Sequence, residues 1–170
     1  QDATQAGFQP GETVQAIDLL YGVMLPSGAD CCIALADTIA GSEEGFVELM
    51  NQKAEKLGLE NTHFCNTTGL HADDHYSTAR DIAELLRYAL KNSTFREIIE
   101  SPYHSTPGKN VHPVGITFYF TIFNNLSDTN FIDGKIMGGK TGFTSEAGCC
   151  LASFAEIDDI EYILVTAGAY

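Results

Sequence analysis

The sequence predicts an α+β domain, a helical subdomain packed with an antiparallel sheet, on three observations. Apolar residues recur at helical spacing behind candidate caps from about residue 12 to residue 100. From Ser101 the texture changes: Pro102, Pro107, Gly108 and Pro113 break helices, and β-branched and aromatic runs take over. The chain's 170 residues, 44% hydrophobic and 19% charged, suffice for the core of one domain spanning residues 1–170, and no repeat, linker or low-complexity run interrupts them.

Gly11-Glu12-Thr13 offers a cap ahead of Val14, Ile17, Leu19, Leu20 and Val23, which end at Pro26-Ser27-Gly28, so a helix and then a turn are expected. Asp30 is the expected cap of a second helix through Ile33, Leu35, Ala36 and Ile39, stopped by Gly41. Ser42 caps a third that carries Phe46, Val47, Leu49, Met50, Ala54 and Leu57 and ends at Gly58. Thr78 and Asp81 have the spacing of a capping box ahead of Ile82, Leu85, Leu86 and Leu90, and a short fifth helix is expected from Phe95 to Ile99. Ile116 to Phe123 is β-branched and aromatic and reads as a strand, whereas Asn130-Phe131-Ile132-Asp133 is too short and polar for a buried one. Lys135 to Lys140, Cys149 to Ala155 and Tyr162 to Ala169 read as three strands joined by turns at Gly142–Gly148 and Glu156–Glu161. Strands so joined form an antiparallel meander, and one face must rest on helices to bury Leu151, Ile163 and Val165.

The formal charge of −14, from 23 acids against 9 bases with no basic cluster, argues against nucleic acid as a partner. No apolar run approaches the ~20 residues that cross a bilayer, and no targeting segment is legible at Gln1-Asp2-Ala3. Cys31-Cys32, Cys65 and Cys149-Cys150 lack the C-x-x-C spacing of metal or redox sites and read as small buried hydrophobes, with no disulfide expected. His71-Ala72-Asp73-Asp74-His75 sets two imidazoles and two carboxylates within five residues, but on a loop without a fixed helical face, so it reads as structural. No metal and no cofactor are expected. A cysteine hydrolase using Cys65 or Cys149 with His63 or His104 has nothing behind it but composition.

The stretch Gly134-Lys135-Ile136-Met137-Gly138-Gly139-Lys140-Thr141-Gly142 supports two chemistries. From Gly134 it satisfies G-x-x-x-x-G-K-[ST], the phosphate loop of a nucleotide-binding protein, which must follow a buried strand and open a helix. That context is missing, because glycines and a strand-like run follow Gly142. From Lys140 it is K-T-G, an element of penicillin-binding and β-lactamase active sites. Leu20 to Asp30, with Leu25-Pro26-Ser27-Gly28-Ala29-Asp30, closely resembles a segment of the serine D-alanyl-D-alanine carboxypeptidases, the low-molecular-weight penicillin-binding proteins. The resemblance extends in order through Ala40-Gly41-Ser42-Glu43, Phe46 to Asn51, Leu57-Gly58-Leu59, Asn61-Thr62-His63-Phe64, Thr68-Gly69-Leu70, His75 to Asp81 and Lys140 to Thr144.

The resemblance implies a partial β-lactamase/DD-peptidase fold and a serine acyl-enzyme reaction on peptidoglycan stem peptides, in which β-lactams trap the same serine. It gives catalytic roles to Ser27, as proton relay to the leaving D-alanine, and to Lys140, as holder of the terminal carboxylate. Thr141, Gly142 and Phe143 would form the substrate-binding strand, with the Phe143 N–H as half of the oxyanion hole. It also implies an extracytoplasmic location. Two departures stand out. No serine here is followed three places later by lysine, so the family's S-x-x-K nucleophile is absent from these residues, and Ala29 stands where the S-x-N motif has asparagine. The chain therefore reads as a truncated domain, inactive alone, that exposes a sheet edge through which self-association is expected. The alternatives are a non-catalytic relative or fragment that binds cell-wall peptide and, less favoured, the phosphate-loop protein.

Overall fold

Local capping chemistry sets the first half of the computed structural model, which describes residues 3–109, 111–125, 128–131 and 133–169. Ile132, in the short polar segment read above, lies outside the described residues, as do Gln1 and Asp2 at the start. Five helices come first: α1 (Ala16–Met24), α2 (Ala29–Ala40), α3 (Glu43–Leu57), α4 (Ala79–Ala89) and α5 (Ser93–Glu100). Ser42 Oγ accepts the Gly45 N–H at 3.1 Å and Thr78 Oγ1 accepts the Asp81 N–H at 3.1 Å, each satisfying a donor the helix cannot. Gly41 and Gly58 end α2 and α3 with φ of 81° and 72°, the left-handed conformation glycine adopts without steric cost.

Two expected caps are corrected. Glu12 folds back to accept the Gln9 N–H, and the chain stays outside the helix until Gln15, so Gly11-Glu12-Thr13 does not cap α1. Asp30 lies inside α2, whose N-cap is Gly28; its carboxylate accepts the backbone N–H groups of Ala6, Gly7 and Phe8 at 2.8, 3.0 and 3.1 Å. It fastens the N-terminal segment to the helix instead of closing the helix end.

The run Ile116–Phe123 is also corrected, because only part of it is strand. β1 (Tyr103–Ser105) pairs antiparallel with β2 (Thr117–Tyr119), and the chain then turns into α6 (Thr121–Asn125). Phe118, Phe120 and Ile122 are all buried with exposed Tyr119 and Thr121 between them, so the burial pattern alone does not mark where the strand ends. A helical turn brings Phe120 edge-on to Phe123, with ring centroids 5.4 Å apart, and both enter the core.

β3 (Asn130–Phe131), β4 (Gly134–Thr144), β5 (Gly148–Ile157) and β6 (Ile160–Ala169) form an antiparallel meander in that order. β5 and β6 turn tightly at Asp158-Asp159, both at positive φ, the backbone of a primed hairpin turn. The core joins Tyr21 of α1 and its C-cap Leu25, Leu86 of α4 and its C-cap Leu90, Ile98 and Ile99 of α5, Phe118 and Phe120, with Phe154 from the sheet; Leu151 and Ile163 pack at its margin. Gly138 and Gly139 let β4 approach closely: a Cβ at Gly138 would lie 2.2 Å from the Ile99 carbonyl oxygen, and one at Gly139 2.7 Å from that of Ala152. These glycines serve packing. Gly134 to Thr141 lies wholly within β4, paired with β5 and followed by a turn, which overturns the phosphate-loop reading.

Candidate active site

Ser27 sits on the turn between α1 and α2, and the turn forces it to φ 63°, a region costly for a side chain other than glycine. Surrounding contacts hold it there. Leu25 is fully buried, the Gly28 N–H donates to Gly22 O at 2.8 Å, and the Ala29 N–H donates to Thr4 O at 2.8 Å. Lys140 stands mid-way along β4 opposite Ala152. Its ammonium donates to Ser27 Oγ and, at 2.7 Å, to its neighbour's carbonyl, Thr141 O. The two candidate catalytic residues, 113 positions apart in sequence, are thus in direct contact.

Burial lowers the Lys140 pKa from its ordinary value, partly opposed by the nearby Cys32. Burial also pushes the thiols of Cys32 and Cys31 up to about 11 and about 12, so both are protonated at neutral pH and neither is a thiolate nucleophile. All five cysteines are free. His104 offers no base to any of them: its Nε2 is 2.7 Å from Asp18 Oδ1 and its ring stacks on Tyr21 at 3.8 Å.

An open cavity of about 850 Å³ spreads from this contact. Pro26 and Ser27 form one wall, Lys140 to Thr144 another, and Thr68-Gly69-Leu70 a third. Thr141, Gly142 and Phe143 all border it, so every candidate site residue reaches the same space. A methyl at Gly142 would touch nothing closer than Cys150 Cβ at 3.9 Å, leaving the strand face open. Ala29 borders the cavity as well, with a methyl where an amide would supply two donors and an acceptor.

The third wall was not foreseen. Asn66 Oδ1 accepts the Thr68 and Gly69 N–H groups at 3.2 and 2.8 Å while its Nδ2 donates to Leu70 O at 2.8 Å. Glu43 of α3 takes both the N–H and the hydroxyl of Thr67, at 2.9 and 2.7 Å. The signal for the turn was Asn66-Thr67-Thr68-Gly69, an Asx turn ending in glycine; nothing local announced Glu43. The His71–His75 loop does not gather as a unit: His75 Nδ1 accepts the Cys65 N–H at 3.1 Å, and Asp74 faces His63.

A strand lysine on a turn serine beside an open cavity is the arrangement expected from K-T-G and Pro-Ser-Gly. A protein-family model described as D-alanyl-D-alanine carboxypeptidase, the S11 peptidases, matches residues 1–170. The chain belongs to that family. It is 37% identical over 166 residues to D-alanyl-D-alanine carboxypeptidase DacF of Bacillus subtilis, covering 98% of this chain and 41% of that protein. To DacC of Escherichia coli it is 39% identical over 162 residues, covering 95% and 38%. Among solved structures, the Streptomyces K15 DD-transpeptidase superposes with a TM-score of 0.85 at 31% identity, covering 98% of this chain and 65% of that one. A D-alanyl-D-alanine carboxypeptidase from Mycobacterium tuberculosis gives 0.86 at 26%, covering 100% and 62%. The α+β fold is therefore that of the DD-peptidases, and the chain spans about two fifths of the length of these two curated relatives.

Proposed function

We propose that this chain carries the carboxylate-binding side of a serine D-alanyl-D-alanine carboxypeptidase site acting on peptidoglycan stem peptides. The observation that supports this most is the largely buried Lys140 ammonium, hydrogen-bonded to Ser27 Oγ at the wall of the cavity. Lys140 holds the terminal carboxylate by charge, Thr141 adds its hydroxyl, and the bare Gly142 lets the peptide lie along β4. The Phe143 N–H contributes half of an oxyanion hole, and Ser27 passes the proton to the departing D-alanine. Such an enzyme works outside the cytoplasm, where its substrate is.

Turnover needs a nucleophile, and none of the serines in these residues heads an S-x-x-K. The 170-residue chain alone is accordingly inactive and binds cell-wall peptide without cleaving it. Ala29 favours a second reading, a non-catalytic homologue, because it removes an amide from the site in any longer form. Fluorescent penicillin tests this: the chain alone should give no label that survives denaturation, and a covalent adduct would refute the proposed inactivity. Joined to a segment bearing S-x-x-K, the catalytic reading expects labelling and the non-catalytic reading expects none. No described helix is long and apolar enough to cross a membrane. β6 is an edge strand with Tyr162 and Leu164 exposed, a surface suited to pairing with a second copy.

A further inference from the structure

A second cluster of chemistry-bearing side chains lies away from Lys140, on the loop between α3 and α4. His63 and Tyr76 form an antiparallel bridge, His63 N–H to Tyr76 O at 2.9 Å and Tyr76 N–H to His63 O at 3.0 Å. Asn51 of α3 pins the intervening Phe64 by both backbone groups, at 2.8 Å each. In an extended segment alternate side chains share a face, so His63 and Cys65 project together. The returning segment brings Asp74 to the same point. Cys65 Sγ is 3.7 Å and Asp74 Oδ2 3.2 Å from the same ring nitrogen, His63 Nδ1.

That shared nitrogen decides what the cluster can do. In a Cys-His-Asp relay the carboxylate orients the ring from the nitrogen opposite the thiol. Here both groups crowd one nitrogen, which suits three ligands around a common centre. Zinc arms of about 2.3 Å to sulfur, 2.0–2.1 Å to nitrogen and 2.0–2.2 Å to oxygen, set tetrahedrally, give N···S and N···O edges of about 3.6 and 3.4 Å. The observed separations match these edges, and one donor atom from each residue lies within 4.8 Å of the others.

We propose that His63, Cys65 and Asp74 form a three-ligand site for one divalent cation of the zinc class, its fourth position open to water. The thiolate and imidazole select against magnesium and calcium, and the net charge of −14 favours a cation. Binding releases the Cys65 thiol proton and displaces the Nδ1 proton that His63 shares with the Asp74 carbonyl oxygen at 2.7 Å. The closed loop includes Thr68-Gly69-Leu70, so the ion would brace the third wall of the cavity. This site does not depend on the activity proposed above. The sequence alone pointed to the His71–His75 run and away from metal; the bridge substitutes Cys65 and His63 for that run's own imidazoles.

The test is titration of the fully reduced 170-residue chain with cobalt(II), followed by competition with zinc. One equivalent should bind at micromolar protein, with a thiolate-to-cobalt charge-transfer band and the intense visible bands of tetrahedral cobalt. Cys65→Ser should abolish the charge-transfer band and weaken zinc at least tenfold. Asp74→Asn should weaken zinc at least tenfold with an unchanged circular dichroism spectrum, and Cys149→Ser should leave binding intact. No binding by the unaltered chain, charge transfer that survives Cys65→Ser, or loss of binding in Cys149→Ser would each overturn the proposal.

Discussion

Replacing Gly138 with alanine separates packing from ligand binding as the reason a glycine stands two residues before Lys140. An added Cβ would lie 2.2 Å from the Ile99 oxygen and 3.0 Å from its carbonyl carbon, against an ordinary contact beginning at 3.4 Å. Both sides are backbone, so no side-chain rotation can relieve the clash, and β4 must part from the end of α5 by about 1 Å. Overpacking of this kind costs about 1–3 kcal/mol, and the rigidity of both partners puts Gly138→Ala near the upper end. For a domain of this size about 3 kcal/mol corresponds to a fall of about 6–12 °C in Tm. Gly142→Ala is the internal control, because its Cβ would meet only Cys150 Cβ at 3.9 Å, and it should stay within about 0.5 kcal/mol of the parent. Thermal unfolding followed by near-ultraviolet circular dichroism, with urea midpoints at 25 °C, measures both. Equal Tm values for the two variants would refute the argument, since a glycine kept bare for a ligand costs nothing when filled in the free protein.

Ser27→Ala and Ser27→Gly both delete the hydroxyl, but only glycine relieves φ 63°, so the glycine variant should be more stable by about 1 kcal/mol; equal midpoints in urea would remove the strain from the account. Binding of an acyl-D-Ala-D-Ala peptide, measured calorimetrically, should fall as pH rises, at a pH below the ~10.4 of an exposed lysine, because burial makes Lys140 lose its proton early and the neutral amine cannot hold a carboxylate. Between the two pKa values the unfolded chain binds more protons than the folded one, so stability rises with pH across that window; a binding curve flat through pH 10 would contradict the lysine's role. Light scattering at micromolar concentration should give a mass above 18.4 kDa that Leu164→Lys on β6 returns to monomer, and a monomeric parent would rule out the edge as a contact.

What could be read from the letters follows from how local each cause is. Ser42, Thr78, Gly41 and Gly58 act within one turn, and their helices end where the sequence says. The meander was legible because its strands are adjacent and punctuated by turn residues. Asp30 misled because a carboxylate near a helix start has two uses, and only the path of Ala6 to Phe8 selects the second. Ile116–Phe123 misled because Phe118, Phe120 and Ile122 are spaced as a strand would space them, and the contact of Phe120 with Phe123 three residues on, where the chain turns into α6, has no signature in β propensity. The pairing of Ser27 with Lys140 was legible only through resemblance, since 113 residues separate them. Glu43 bracing Thr67, and Asp74 meeting His63 across a bridge, are products of the fold with no local signature.

Two features of the site cost stability. Ser27 holds a left-handed backbone that glycine would occupy freely. Lys140 buries most of an ammonium whose hydrogen-bond partners, Ser27 Oγ and Thr141 O, are neutral, and among the described residues no carboxylate lies within ion-pairing distance of it. In a chain with 23 acidic residues an unpaired, largely buried cation is conspicuous. Both costs converge on one cavity wall, and an incoming carboxylate would offset the second directly by supplying the missing charge. On the function proposed above, the same convergence separates binding from turnover: these groups would meet the carboxylate and the leaving group, and the nucleophile would come from an S-x-x-K that these residues lack. An acyl-D-Ala-D-Ala peptide should therefore raise the Tm of this chain and be recovered uncleaved, and a thermal shift that persists in Lys140→Met would show that the buried charge is not what the ligand meets.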